Sequence, residues 1–151
     1  MLILNDCLNL QQKNGKSGKL FTHLLDTDIC IYAMKGRDFD LARKLNECVG
    51  KCAVSGLSIL ELYAGAQRYD QPSKRIDLIE DFLSRLSILP FDTQAARIAG
   101  PIRFKLLSTG QMIGAYDLLI AATALSNNLK LVTNNQREFE RVEGLQVERW
   151  V

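Results

Sequence analysis

The sequence predicts an α/β fold: a central, mostly parallel five-stranded sheet in a three-layer arrangement, flanked by helices. Short apolar runs alternate along the chain with stretches of helical period. One or two helical stretches separate each pair of runs, so the strands cannot pair as tight hairpins and must cross over in parallel. The chain has 151 residues, 47% of them hydrophobic, which suits one compact domain burying about two-thirds of its unfolded surface.

In chain order, residues 1–19 end in QQKNGKSGK, polar and without apolar period, and read as a flexible leader before a domain over 20–151. The runs LFTHLL (20–25), CAVSG (52–56), SILPF (87–91), LKLVT (129–133) and LQVERW (145–150) read as strands. A first helix runs from Thr27 to about Lys35 and stops at Gly36. DFDLARKLNECVG follows, with Leu41, Leu45, Cys48 and Val49 at helical spacing and Gly50 as terminator. Ser58 opens the next helix, and Pro72 stands in the first turn of the one after it. DTQAARIAGPIRFKLLSTG is bounded by Asp92 and Gly110. YDLLIAATALSNN is apolar on nearly every side, the mark of a buried helix.

Composition narrows the function little. A net charge of +2 is too small to argue for nucleic acid by itself. Four cysteines and one histidine fit neither a C-x-x-C pair nor a zinc spacing, so a structural zinc site is not expected and the cysteines read as small core residues. The start of the chain carries no secretory signal, and the longest apolar stretch, LLIAATAL, is far below the about 20 residues that cross a bilayer. The expectation is a cytoplasmic protein with no membrane association.

Parallel α/β sheets place their functional crevice beyond the carboxyl ends of the strands. Polar residues follow several of the expected strands: Asp26 after the first, Glu61 in the helix after the second, Asp117 at the start of the buried helix, Asn134 and Asn135 after LKLVT. Each has a structural explanation. Asp26 suits a helix N-cap, Ser58 and Glu61 match a capping box, Asp117 suits the helix dipole, and the asparagines suit a turn. Together, however, three carboxylates at one mouth of the sheet repel one another and require a cation. Oxygen-only ligation selects Mg²⁺ or Mn²⁺, and such an ion lowers the pKa of bound water, neutralises a phosphodiester and stabilises its leaving oxygen. No Ser/His or Cys/His pair is evident, and His23, three residues before Asp26, receives no catalytic role.

The blocks LLDTDICIY, SGLSILELYAGA, PFDTQAARIAGPIR, IGAYDLLIAATAL and LVTNNQREFERVEGLQVERW, in this order, resemble PIN-domain ribonuclease toxins of the VapC type over about Leu20 to Val151. The resemblance implies a PIN-like fold and a metal-dependent endoribonuclease. Asp26, Glu61 and Asp117 match the three acidic residues that hold Mg²⁺ or Mn²⁺ for hydrolysis of RNA. A fourth position after the VT strand, often Asp, is Asn135 here, which weakens a second metal site. Thr133 supports the cluster through its hydroxyl, and Asp28 stands where Asn is usual. The resemblance also implies a structured RNA substrate, transfer or ribosomal, a VapB-like antitoxin that blocks the groove, and a homodimer. Arg97, Arg103 and Lys105 are candidate contacts to the RNA backbone, against an ordinary reading as solvated helix charges. Two rival functions remain: a haloacid-dehalogenase-like phosphatase built on DTD, with Asp26 as nucleophile and Asp28 as acid, and a non-catalytic partner-binding α/β domain.

Overall fold

The computed structural model describes residues 20–151; the expected leader over 1–19 lies outside the described residues. Five strands form one sheet: β1 (His23–Leu25), β2 (Cys52–Ser55), β3 (Ser87–Leu89), β4 (Lys130–Val132) and β5 (Val147–Glu148). Their order is β3-β2-β1-β4-β5 and every pairing is parallel. β1 is central, its Leu25 beside Val54 on one neighbour and Val132 on the other. The chain winds outward from β1 to one side and then to the other, so the strand order reverses at β1/β4 and opens a crevice at their carboxyl ends.

Seven helices complete the described residues: α1 (Thr27–Lys35), α2 (Phe39–Glu47), α3 (Gly56–Ala66), α4 (Pro72–Leu83), α5 (Thr93–Ser108), α6 (Ala115–Ser126) and α7 (Gln136–Phe139). Alternation along the strands divides the apolar residues between two cores. Leu25, Val54 and Val132 face one way and pack with Ile29, Leu41, Leu62, Ile79, Leu83 and Trp150, under α1 to α4. Leu24, Ala53 and Leu131 face the other way, against Leu106, Leu118, Ile120, Ala121 and Phe139 of α5 to α7. α6 buries six residues, Leu118 and Ile120 to Ala124, which accounts for its apolar sequence.

Helix boundaries follow local chemistry. Asp38 and Asp92 cap α2 and α5 by accepting the amides of Leu41 and Ala95 at 2.9 Å, and Pro72 occupies the first turn of α4. Pro101 lies inside α5 and removes one backbone donor, but both it and Arg97, whose carbonyl is freed, are exposed to water. The start of α3 differs from the sequence expectation. Ser55, the last residue of β2, is the N-cap, and its hydroxyl accepts the Ser58 amide at 3.1 Å. Ser58 sits buried inside the first turn, so the Ser58–Glu61 capping box does not form. α7 carries no apolar period in the sequence and is a single turn set by the preceding loop.

Candidate active site

Asp26 follows β1 and stands at the N-cap of α1, yet its carboxylate does more than cap a helix. Oδ1 accepts the Thr27 amide at 2.8 Å and Oδ2 accepts the Thr133 hydroxyl, also at 2.8 Å, from the end of β4. Thr133 in turn accepts the Asn135 amide at 3.0 Å. The side chain of Asp26 is thus held in one orientation at the switch point while remaining only 5% exposed. Glu61, released from any capping duty, reaches across from α3 and accepts the Thr27 hydroxyl.

Asp117 enters from the first turn of α6. Gly114 admits it: a Cβ there would lie 2.8 Å from Asp117 Oδ2. The loop before α6 therefore leaves room for a carboxylate and for nothing else at that point. Asp28 sits in the first turn of α1, and its Oδ2 accepts the Asn134 amide at 3.0 Å, tying the β1 end to the β4 end.

Burial pushes the Asp26 carboxyl up to about 6; the Thr133 hydrogen bond opposes the rise, and the charges of Asp28 and Glu61 add to it. Asp117 is pushed up to about 7, first by burial, then by a hydrogen bond to Glu138, and further by the charges of Asp26, Glu138 and Glu61. Asp28 is raised as well, by burial. Asp26 and Asp117 thus each feel the charge of Glu61, and Asp117 that of Asp26. Glu138 joins them unannounced. Asn135 starts the single turn of α7 with its side chain exposed, and Glu138, three residues on, comes back within hydrogen-bond reach of Asp117. An i, i+3 spacing after a strand was the only sequence signal for it.

The donor types suit a hard cation, although among the described residues the carboxylate oxygens do not close to within 4.8 Å of one another as a group. The set is made of carboxylate oxygens, and two further buried oxygens at its edge, Asp28 Oδ1 and Asn134 Oδ1, lack any hydrogen-bond partner. Asp26, Glu61 and Asp117 could hold such an ion, with Glu138 as a fourth carboxylate. Arg97, Arg103 and Lys105 are exposed along α5, and Lys105 pairs with the Glu143 carboxylate. His23 lies at the opposite end of β1, where it contacts Glu148 and Trp150 rather than the carboxylates. No helix among the described residues is long and apolar enough to cross a membrane.

Known proteins share this fold. The family model of the PIN domain matches residues 23–145. The chain is 44% identical over 132 residues to ribonuclease VapC2 of Haemophilus influenzae, covering 87% of this chain and 100% of the relative. It is 40% identical over 127 residues to the tRNA(fMet)-specific endonuclease VapC of Shigella flexneri, covering 84% and 96% respectively. Among solved structures, the DNA-bound VapBC complex of Salmonella typhimurium superposes with a TM-score of 0.83 at 37% identity, over 87% of this chain and 99% of that one. VapBC2 of Rickettsia felis, bound to a promoter DNA fragment, gives 0.82 at 32% identity, over 87% and 100%. With its strand order, its carboxylate pocket and this degree of likeness over nearly all the described residues, the chain belongs to the PIN-domain family, on its VapC branch.

Proposed function

We propose that the protein is a metal-dependent endoribonuclease toxin that hydrolyses phosphodiester bonds of structured RNA and is inhibited by a VapB-like antitoxin. The observation that supports this reading is the electrostatic coupling of Asp26, Glu61 and Asp117, from three separate segments, in which burial and like charge raise Asp26 and Asp117 far above an ordinary carboxylate. Transfer RNA is the substrate class favoured by the name of the Shigella relative. The antitoxin is favoured by the VapBC complexes among the structural neighbours.

Asp26, Glu61 and Asp117 would hold Mg²⁺ or Mn²⁺, with Asp28 and Asn134 at the margin and Asn135 contributing through its amide rather than its exposed side chain. When bound, the ion supplies Lewis-acid polarisation of the phosphodiester and acidifies water. The chain's own groups supply orientation. Thr133 and the Thr27 amide hold both oxygens of Asp26 in place, and the Thr27 hydroxyl turns Glu61 inward. Asp117, pushed up to about 7 by burial, by its hydrogen bond to Glu138 and by neighbouring charges, accepts or gives up a proton as charge in the pocket changes. Arg97 and Arg103 on α5 would meet the RNA backbone, and Lys105 would do so on leaving Glu143.

A DTD phosphatase is disfavoured by the same geometry. Its acid, Asp28, is half-buried against the Asn134 amide, and Glu61 would have no part in the reaction although the fold turns it into the pocket. A purely partner-binding domain would need Glu61 as a cap, and Ser55 does that work. The deciding experiment is titration of Mn²⁺ into wild type and Glu61→Gln with RNA cleavage followed in parallel. Loss of both in the variant is the expected result; unchanged Mn²⁺ affinity and cleavage would overturn the proposal.

A further inference from the structure

At the end of β1 remote from the carboxylates, three side chains with metal-binding atoms meet. His23 and Cys52 are partners in register on the adjacent strands β1 and β2, so their side chains leave the same face of the sheet. Cys48 closes α2 and arrives through a tight turn in which the Lys51 amide bonds the Cys48 carbonyl at 2.9 Å and Gly50 takes φ +74°. The two sulfurs and a His23 ring nitrogen all lie within 4.8 Å of one another. The two sulfurs of a tetrahedral zinc site stand about 3.8 Å apart for Zn–S bonds of about 2.3 Å, so small side-chain rotations close the set.

We propose that His23, Cys48 and Cys52 form a second, thiophilic metal site that takes a Zn²⁺-class ion and fastens α2 to the sheet. The donors are one imidazole and two thiols, the soft set that selects zinc over Mg²⁺ or Mn²⁺ and so sorts ions away from the all-oxygen pocket. Three residues of strand, roughly 10 Å, separate His23 from Asp26. Cys52 is buried and Cys48 and His23 are half-buried, which leaves the fourth position to water from the Cys48 side. The surroundings already orient the imidazole. His23 Nε2 lies 3.3 Å from Glu148 Oε2, Nδ1 lies 2.8 Å from the Thr22 hydroxyl, and Glu148 is itself held by Lys130 and by Trp150 Nε1. Both ring nitrogens already have a partner, so ligation exchanges one of these contacts for the metal while the other keeps holding the ring. Burial lowers His23 against the charge and hydrogen bond of Glu148, favouring the neutral ring. Burial and Cys48 push the Cys52 thiol up to about 12, so an ion bound here must displace thiol protons. Sequence spacing hides the set, because its members come from a strand, a helix end and a neighbouring strand rather than from one motif.

The test is titration of Co²⁺ into the fully reduced whole chain, read by thiolate-to-metal charge-transfer absorbance, a signal that carboxylate ligation does not produce. The expected result is saturation at one equivalent, displacement by Zn²⁺, and a rise in thermal midpoint with Zn²⁺. Cys48→Ser, at a half-buried helix end, and His23→Gln each weaken binding roughly tenfold or more and abolish the thermal shift, while far-ultraviolet circular dichroism shows both variants folded. Cys7→Ser keeps the signal. Wild type that takes no Co²⁺ when reduced overturns the proposal, as does equal binding by Cys48→Ser or loss of the signal in Cys7→Ser. None of these readouts depends on RNA cleavage, so the outcome is independent of the carboxylate pocket's role.

Discussion

Asp117 is a carboxylate pushed up to about 7 first by burial and then by neighbours of its own sign, and removing its charge should separate chemistry from stability. Asp117→Asn is expected to lower divalent-dependent RNA cleavage by roughly 100-fold or more, the scale on which a positioned catalytic group is felt. The same variant relieves repulsion, so its thermal midpoint in EDTA should equal or exceed that of wild type. Gly114 makes a subtler case. An alanine there presses first on the Asp117 carboxylate, whose Oδ2, Cγ and Cβ are the three nearest atoms to the added Cβ. Cleavage by Gly114→Ala should fall while its urea midpoint stays within about 0.5 kcal/mol of wild type. A variant that keeps full activity would show that Asp117 need not occupy its observed place. At this scale the sequence was legible wherever a residue type has few uses. Acids at the strand end and in the helices marked Asp26, Glu61 and Asp117 as candidates, and the family pattern pointed to Thr133, whose hydroxyl donates to Asp26. Glu138 was not legible, because its position depends on a one-turn helix that carries no apolar signal.

Elements were legible to the extent that their own period or caps define them. α1 runs over Thr27–Lys35 and stops at Gly36 as its sequence foretells, and α6 is as buried as its composition requires. Strand lengths were not: LQVERW supplies only Val147 and Glu148 to the sheet, and Trp150 turns away to pack against the α1 to α4 core. An edge strand ends where its neighbour stops offering partners, which a single segment cannot reveal. The start of α3 was misplaced for a related reason. Two serines three residues apart can each cap, and the choice of Ser55 follows from where β2 ends. This gives a clean contrast between two substitutions in one helix. Ser55→Ala should cost about 1 kcal/mol in urea denaturation by unsatisfying the Ser58 amide. Glu61→Gln should leave the helix intact and cost divalent binding instead. If Glu61→Gln destabilised α3 as much as Ser55→Ala, the division of labour between them would be wrong.

Across the whole molecule, the pocket makes folding depend on acidity. Asp26 near 6 and Asp117 near 7, against an ordinary 3.8, mean that the folded chain binds more protons than the unfolded chain over this interval. Their contribution to stability is therefore complete below about pH 4 and is lost as pH rises through 6 and 7. For Asp26 the shift corresponds to roughly 3 kcal/mol. In EDTA the urea midpoint should be higher at pH 5.5 than at pH 8, and Mn²⁺ should narrow the gap by stabilising the pH 8 form. Equal midpoints in EDTA would mean that the carboxylates are not in mutual conflict. The central position of β1 has a further consequence, in time. Asp26 is oriented by Thr133, 107 positions later, and β1 has no second neighbour until β4 exists. Such distant pairing makes assembly slow and late. A ribosome must therefore release the polypeptide through Thr133 before Asp26 can take its observed orientation, so translation itself sets the earliest moment at which that carboxylate is fixed.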